Sequence, residues 1–150
     1  MFKCSIKSFV LFAVLVLLLE SAPSVFATDK PFAEKKIVLQ ISDADPLKQT
    51  LVLNVANNLL KEYGTDGVEI EIVAFGPGLR LLFADNANKD RVQGLDANGV
   101  GFRGCSNTHK NMTRKLGYAP KLNPVAQVKE PGVVRIVKLV TEEGYTLVRP

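Results

Sequence analysis

The stretch Lys36-Ile37-Val38-Leu39-Gln40-Ile41-Ser42-Asp43-Ala44-Asp45-Pro46, continued through Tyr63-Gly64, decides the fold. Its first part is a short run rich in β-branched residues, which favours a strand. Asp45-Pro46 then reads as a helix N-cap with proline at the first helical position, where the missing N–H costs nothing. Val52, Val55, Ala56, Leu59, Leu60 and Tyr63 recur at i, i+3, i+4 and i+7, which predicts a helix with one apolar stripe. Gly64 supplies the left-handed residue that ends it. A strand feeding a helix is the unit from which parallel sheets are built.

The unit recurs. After the turn Thr65-Asp66-Gly67, Val68, Ile70 and Ile72 alternate with Glu69 and Glu71, as expected of a strand with one face partly solvated. Leu79, Leu82 and Phe83 begin a short helical segment, and Asn88 caps a second one from Lys89 to Ala97, closed by Gly99. Val100 to Gly104 reads as a third strand. A helix follows Cys105, capped by Ser106 or Asn107 and ended at Gly117. Val125 to Val128 is a fourth strand candidate, Val133 to Glu143 a helix and Tyr145 to Val148 a fifth strand. Val133 to Val140 is dense enough in β-branched residues to form a hairpin with Tyr145 to Val148 instead. Against that, Val133, Ile136, Val137 and Val140 share a helical face while Arg135, Lys138 and Glu142 fall elsewhere. The expected class is α/β, with a mostly parallel sheet covered on both sides and ligands approaching the carboxyl ends of its strands.

Composition limits what such a chain can do. At 150 residues, 47% hydrophobic and 23% charged, it can bury the core of one domain and cannot be disordered. A net charge of +4 suits small anions and falls short of a nucleic-acid-binding footprint. One histidine and two cysteines exclude a multi-histidine or zinc-ribbon metal centre, so no metal is expected. Lys3 and Lys7 precede the apolar run Phe9 to Leu19, and Val25-Phe26-Ala27 fits a signal-peptidase site. Residues 1–27 are therefore read as a signal peptide and 28–150 as the domain, in the periplasm or secreted. The run is shorter than the roughly 20 apolar residues of a membrane span and Glu20 interrupts it, so removal is favoured over retention as an anchor. Cys4 leaves with the leader, making Cys105 the lone thiol of the mature chain.

Cys105 sits just past the carboxyl end of the third strand and just before a helix start. Unsatisfied N–H groups and the helix dipole favour a thiolate there. Arg103, His109 and Lys110 add positive charge, and His109 at i+4 lies one helical turn away. The competing roles are a small buried hydrophobe or a disulfide to a second copy. Asn107 lies in the same first turn. Asp43 follows the first strand at the same sheet edge, where it would orient a ligand or serve as a turn residue. Gly76 and Gly78 flank Pro77 after the second strand, where glycines permit close backbone approach. They form no P-loop, and no GxGxxG follows the first strand, so no nucleotide cofactor is expected. Asn54, Asn57 and Asn58 are unusual inside a helix and suggest polar contacts at a subunit boundary.

These blocks together resemble the DsrE/DsrF-like family. The resemblance is carried by Gln40 to Pro46, Leu53 to Leu60, Val73-Ala74-Phe75-Gly76-Pro77-Gly78-Leu79, Gly99 to Thr108 with its cysteine, and Glu130-Pro131-Gly132-Val133 on to Gly144-Tyr145 and Arg149-Pro150. It implies a three-layer α/β/α sandwich around a parallel five-stranded sheet, assembled as a trimer or hexamer. It also favours the helix at Val133 to Val140. Members that are better understood carry sulfur as a persulfide on one cysteine and pass it between partner proteins; by resemblance that cysteine is Cys105. The sulfur-relay members are cytoplasmic, whereas this chain carries an export leader.

Two functions follow as expectations. One is an exported sulfur carrier holding sulfane sulfur on Cys105, with a donor or acceptor protein or a small anionic sulfur species as partner. The other is a non-catalytic oligomeric binding module using the edge around Asp43, Gly76 and Cys105. Neither needs nucleic acid, a cofactor, or a membrane once the leader is removed.

Overall fold

A computed structural model describes Lys30 and residues 32–150; the leader and Cys4 lie outside the described residues. The sheet has four strands: β1 (Lys35–Ile41), β2 (Val68–Ala74), β3 (Val100–Gly104) and β4 (Thr146–Val148). All pair in parallel in the order β3-β2-β1-β4. The chain winds outward from β1 to β3, then returns to add β4 on the far side of β1. The helices are α1 (Pro46–Gly67), α2 (Lys89–Ala97), α3 (Ser106–Leu116) and α4 (Gly132–Thr141), with a 3-10 segment at Gly76–Leu82.

Local chemistry accounts for most boundaries. Asp45 caps α1, its Oδ1 accepting from the Leu47 N–H at 2.8 Å, and Pro46 opens the helix. Gly64, at φ 76° and ψ 164°, kinks the helix four residues before β2 begins without ending it: Thr65-Asp66-Gly67 is helical and not the expected turn. Gly117 ends α3 in the left-handed region at φ 79°, a conformation that costs a residue with a Cβ about 1–2 kcal/mol.

The two faces of the sheet are covered unequally. On one, α1, α2 and the 3-10 segment pack Val52, Leu53, Ala56, Leu79, Val92 and Leu95 against Leu39, Ile41, Ile70, Ile72 and Phe102. On the other, α4 buries Ile136 and Leu139 against Val38, Val73 and Tyr145, with Phe75 partly buried beside them. At about 1.5–3 kcal/mol per fully buried large apolar side chain, α4 is anchored by far less burial than α1 and α2 supply together. It is tied down also by an ion pair: Arg135 donates from Nε and Nη2 to the two oxygens of Glu71, both at 2.8 Å.

Several expectations are corrected by this arrangement. The sheet has four strands, not five: Val125 to Val128 contributes one parallel pairing, Gln127 with Arg103, alongside β3. Pro124 and the turn at Asn123, whose carbonyl accepts from the Ala126 N–H, leave too little extended chain for more. Glu69 and Glu71 are buried, not solvated, because α4 covers their face and Arg135 neutralises Glu71. The N-cap of α3 is Cys105, without a side-chain bond, instead of Ser106 or Asn107. Asn88 likewise forms no side-chain cap; its own N–H donates to Asn86 Oδ1. Gly132 to Thr141 is a helix, so the hairpin does not form. Its buried stripe is Gly132, Ile136 and Leu139, leaving Val133, Val134, Val137 and Val140 at 40–56% exposure.

Candidate functional site

Cys105 occupies the position at which β3 hands over to α3. Its N–H donates to Ala74 O at 2.9 Å, extending the β2–β3 ladder by one bond, while its carbonyl accepts from the His109 N–H at 3.0 Å and so opens the helix. Strand alternation puts Gly101, Arg103 and Cys105 on one face of the sheet. That is the face under α4. Gly132, the first residue of α4, confirms the side: a Cβ added there would lie 3.1 Å from Cys105 Cβ and 3.3 Å from both Phe75 Cβ and Val73 Cγ1.

Two helix N-termini therefore meet at one sulfur. The Ser106 N–H donates to Glu130 O at 3.0 Å, fastening the start of α3 to the segment that leads into α4. Burial pushes the Cys105 thiol up, but the Gly132 N–H, the Thr108 hydroxyl and the N–H groups of Thr108 and Asn107 all favour the thiolate, and the net shift is downward from 9.0. Thr108 is oriented for this from behind, since its Oγ1 accepts from the Gly76 N–H at 2.9 Å and leaves its own proton to donate. Cys105 is buried at the strand edge, 7% exposed, and belongs to neither apolar cluster. It is a free thiol, and a disulfide to a second copy would require its cover to open.

The other sequence candidates divide. Asn107 contributes its backbone N–H to the sulfur. Arg103 lies on the same face two residues earlier. His109 turns away, its Nε2 donating to the Pro120 carbonyl at 3.3 Å, so it is not placed as a base for the thiol. Lys110 is exposed on α3. Asp43 is engaged locally, accepting from the Asp45 N–H at 2.9 Å and from Lys48 Nζ at 2.8 Å, and Lys48 holds its carboxyl below the usual range. Gly78 is a packing glycine, because a Cβ there would stand 2.8 Å from Ser42 Cα and closer still to the Ile41 carbonyl. Of the three asparagines in α1, Asn54 accepts from Arg91 Nη2 at 2.7 Å, a contact within the chain.

Sequence reasoning missed four residues that build the site: Glu71, Thr108, Gly132 and Arg135. Arg135 and Glu71 are 64 positions apart and nothing local pairs them. Thr108, at i+3 from Cys105, was legible as a first-turn hydroxyl.

A cavity of about 210 Å³ lies near the cysteine, lined by Arg103, Gly104, Gln127, Lys129, Glu130, Gly132 and Arg135. Glu71 pairs with both arginines, with Arg103 Nε 3.3 Å from its Oε2 and Arg135 Nε 2.8 Å from its Oε1. Arg103 Nη1 is buried with no hydrogen-bond partner, at a cost of about 1–3 kcal/mol for an unmatched donor. A second, larger cavity of about 550 Å³ lies beyond the carboxyl ends of β1 and β2, between the 3-10 segment and α3; Gly76, Arg80, Phe83, Met112, Lys115 and Leu116 line it. Thr108 touches both this cavity and the sulfur. Among the described residues no group of three or more His, Cys, Asp or Glu is placed to hold a metal, and no helix is long and apolar enough to cross a membrane.

No family model matches the chain, and no curated protein does. Among solved structures it is similar to a protein of unknown function, MTH1491, from Methanobacterium thermoautotrophicum. The identity is 30% and the TM-score 0.69, over 78% of this chain and the whole of the archaeal one. At that identity and coverage the chain belongs to one family with the archaeal protein.

Proposed function

We propose that this relative of the archaeal protein is a sulfur carrier that holds sulfane sulfur as a persulfide on Cys105. The observation that carries the reading is the placement of a free cysteine at the carboxyl end of β3 where two helices start: its carbonyl opens α3, and Gly132, the first residue of α4, packs against its Cβ. N–H groups at helix starts favour the thiolate, which is the nucleophilic form. In loading, Cys105 Sγ attacks the outer sulfur of a donor persulfide or polysulfide. A new S–S bond forms, the donor's S–S bond breaks, and the electron pair leaves with the donor thiolate. Unloading is the reverse, with an acceptor thiolate attacking the outer sulfur and Cys105 leaving as thiolate.

Intact-mass spectrometry of the chain treated with polysulfide tests this. Gain of one or more sulfur atoms, absent in Cys105→Ser, is the expected outcome; no gain on the wild-type chain refutes the carrier. Support for the second reading, a binding module without covalent chemistry, comes from the larger cavity, whose position outside the strand ends is where open α/β sheets take ligands. Ligand binding fully retained in Cys105→Ser, with no sulfur gain on the wild type, decides for the module.

The protein is further proposed to act as a homo-oligomer in the periplasm or outside the cell. The exposed valines of α4 support association, since monomers rarely leave such an apolar stripe in water. Sedimentation showing a monomer at micromolar concentration refutes it. Amino-terminal sequencing of the exported protein tests the leader, with Thr28 as the expected first residue.

A further inference from the structure

We infer that the cavity between Arg103, Lys129 and Gly132 is an anion site that selects the donor: a small sulfur oxyanion with a terminal sulfane sulfur, of the thiosulfate type. This inference rests on the carrier reading of Cys105 and adds its substrate class.

Charge accounting around the cavity points to an anion. Glu71 takes both oxygens' worth of bonding from Arg135, which also donates from Nη1 to Glu143 at 2.8 Å. Lys138 takes Glu130 at 2.9 Å. Arg103 spends only Nε on Glu71, while its Nη1 is buried without an acceptor, and Lys129 makes no ion pair among the described residues. Two donors are thus left over at the opening, the buried Arg103 Nη1 and the Lys129 ammonium, with Glu130 also lining the cavity and Asp96 within electrostatic reach of Arg103. A guanidinium and an ammonium together suit a dianionic oxygen cluster.

Size and placement narrow the class. About 210 Å³ holds an inorganic oxyanion and is below the usual range for organic ligand pockets. Arg103 and Cys105 project from the same sheet face two residues apart, and Gly132 both lines the cavity and gives its N–H to the sulfur. Cys105 does not itself line the cavity, but Gly132 does, and a Cβ on Gly132 would lie 3.1 Å from Cys105 Cβ. An oxyanion held on Arg103 and Lys129 would present its outer sulfur to Sγ past Gly132, which carries no side chain.

The chemistry balances without a further reactant. Cys105 thiolate attacks the outer sulfur of thiosulfate; the new Sγ–S bond forms as the S–S bond to the sulfonate sulfur breaks. Sulfite leaves with the electron pair and Cys105 persulfide anion remains. A thiolate approaching a dianion is repelled, and the two cations offset that repulsion.

The test uses thiosulfate titrated by calorimetry into the full chain carrying Cys4→Ser and Cys105→Ser, so that binding is read without reaction. Saturable binding is expected, weakened about tenfold or more by Arg103→Gln, the loss of a charge-assisted hydrogen bond. Lys129→Ala, at an exposed position, carries the same test if Arg103→Gln does not fold, and Arg103→Lys should recover part of the affinity. On the wild-type chain, thiosulfate should add one sulfur to Cys105 and release sulfite. Absence of saturable binding, or equal binding in the Arg103 and Lys129 variants, overturns the anion site; a polysulfide adduct formed at the same time would leave the carrier reading standing. Arg103-dependent binding with no sulfur transfer from thiosulfate overturns the donor assignment, and failure of polysulfide as well removes the carrier reading itself.

Discussion

Replacing Thr108 with valine probes how the fold tunes its cysteine. The substitution keeps the shape of the side chain and removes the hydroxyl that donates to Sγ. The Thr108 hydroxyl and the N–H groups of Gly132, Thr108 and Asn107 favour the thiolate, and the change leaves the N–H groups in place. A hydrogen bond to a charged group is worth about 1.5–3 kcal/mol, and about 1.4 kcal/mol corresponds to one pKa unit. The Cys105 pKa should therefore rise. At neutral pH the thiolate fraction then falls about tenfold or more. Alkylation by neutral iodoacetamide, followed from pH 5 to 10, reads this directly. The midpoint should move up while the limiting rate at high pH holds or rises slightly, because a more basic thiolate is intrinsically more nucleophilic. Thr108→Ser keeps the hydroxyl and should leave the midpoint where it is. A second, smaller effect accompanies the first: the Gly76 N–H loses its acceptor, costing about 1 kcal/mol of stability. An unmoved midpoint in Thr108→Val refutes the claim that this hydroxyl stabilises the thiolate. A lower limiting rate at an unmoved midpoint shows that the residue controls access instead.

Three further outcomes follow from the same geometry. Arg135→Met should destabilise the fold by about 2–3 kcal/mol in urea denaturation; breaking a buried pair costs about 3–5 kcal/mol, and Arg103 remains beside Glu71. Combining it with Glu71→Gln should recover part of that loss, and strictly additive effects of the two changes refute the coupling. Gly78→Ala meets backbone and should cost 3 kcal/mol or more, on the order of severe overpacking, whereas Gly132→Ala meets side-chain atoms at 3.1–3.3 Å and should cost about 1–2 kcal/mol while slowing alkylation of Cys105; equal thermal stability of the two variants contradicts this. Finally, because folding lowers the Cys105 pKa from 9.0, its ionisation contributes stability that is fully present above the unfolded value and is lost as pH falls through the folded value. Urea midpoints should rise with pH across that window in the wild-type chain relative to Cys105→Ser, and identical profiles refute the shift.

How much of this was legible follows from the range of each interaction. Strand, cap and turn signals act within a few residues, so Asp45-Pro46, Gly99 and Gly117 announced their boundaries, and the handover at Gly104-Cys105 placed the thiol at a strand end before a helix. Alternation along Val68 to Ala74 was read correctly as a strand but mistaken for a half-solvated one, because a carboxylate in a strand looks the same whether it faces water or a distant arginine.

By itself, then, the sequence determined the parallel α/β class, the order of the units and the location of Cys105, all consequences of local periodicity and backbone preference. Only the tertiary structure decided that β3 lies beside β2 while β4 crosses to β1, that Val125 to Val128 has room for one pairing, and that His109 faces Pro120 while Thr108 and Gly132 face the sulfur. The cause is common to all three. Which helix covers which face is fixed by how the whole chain buries its apolar area, and that choice brings Gly132 and Arg135 over Cys105 and Glu71 from more than 25 positions away.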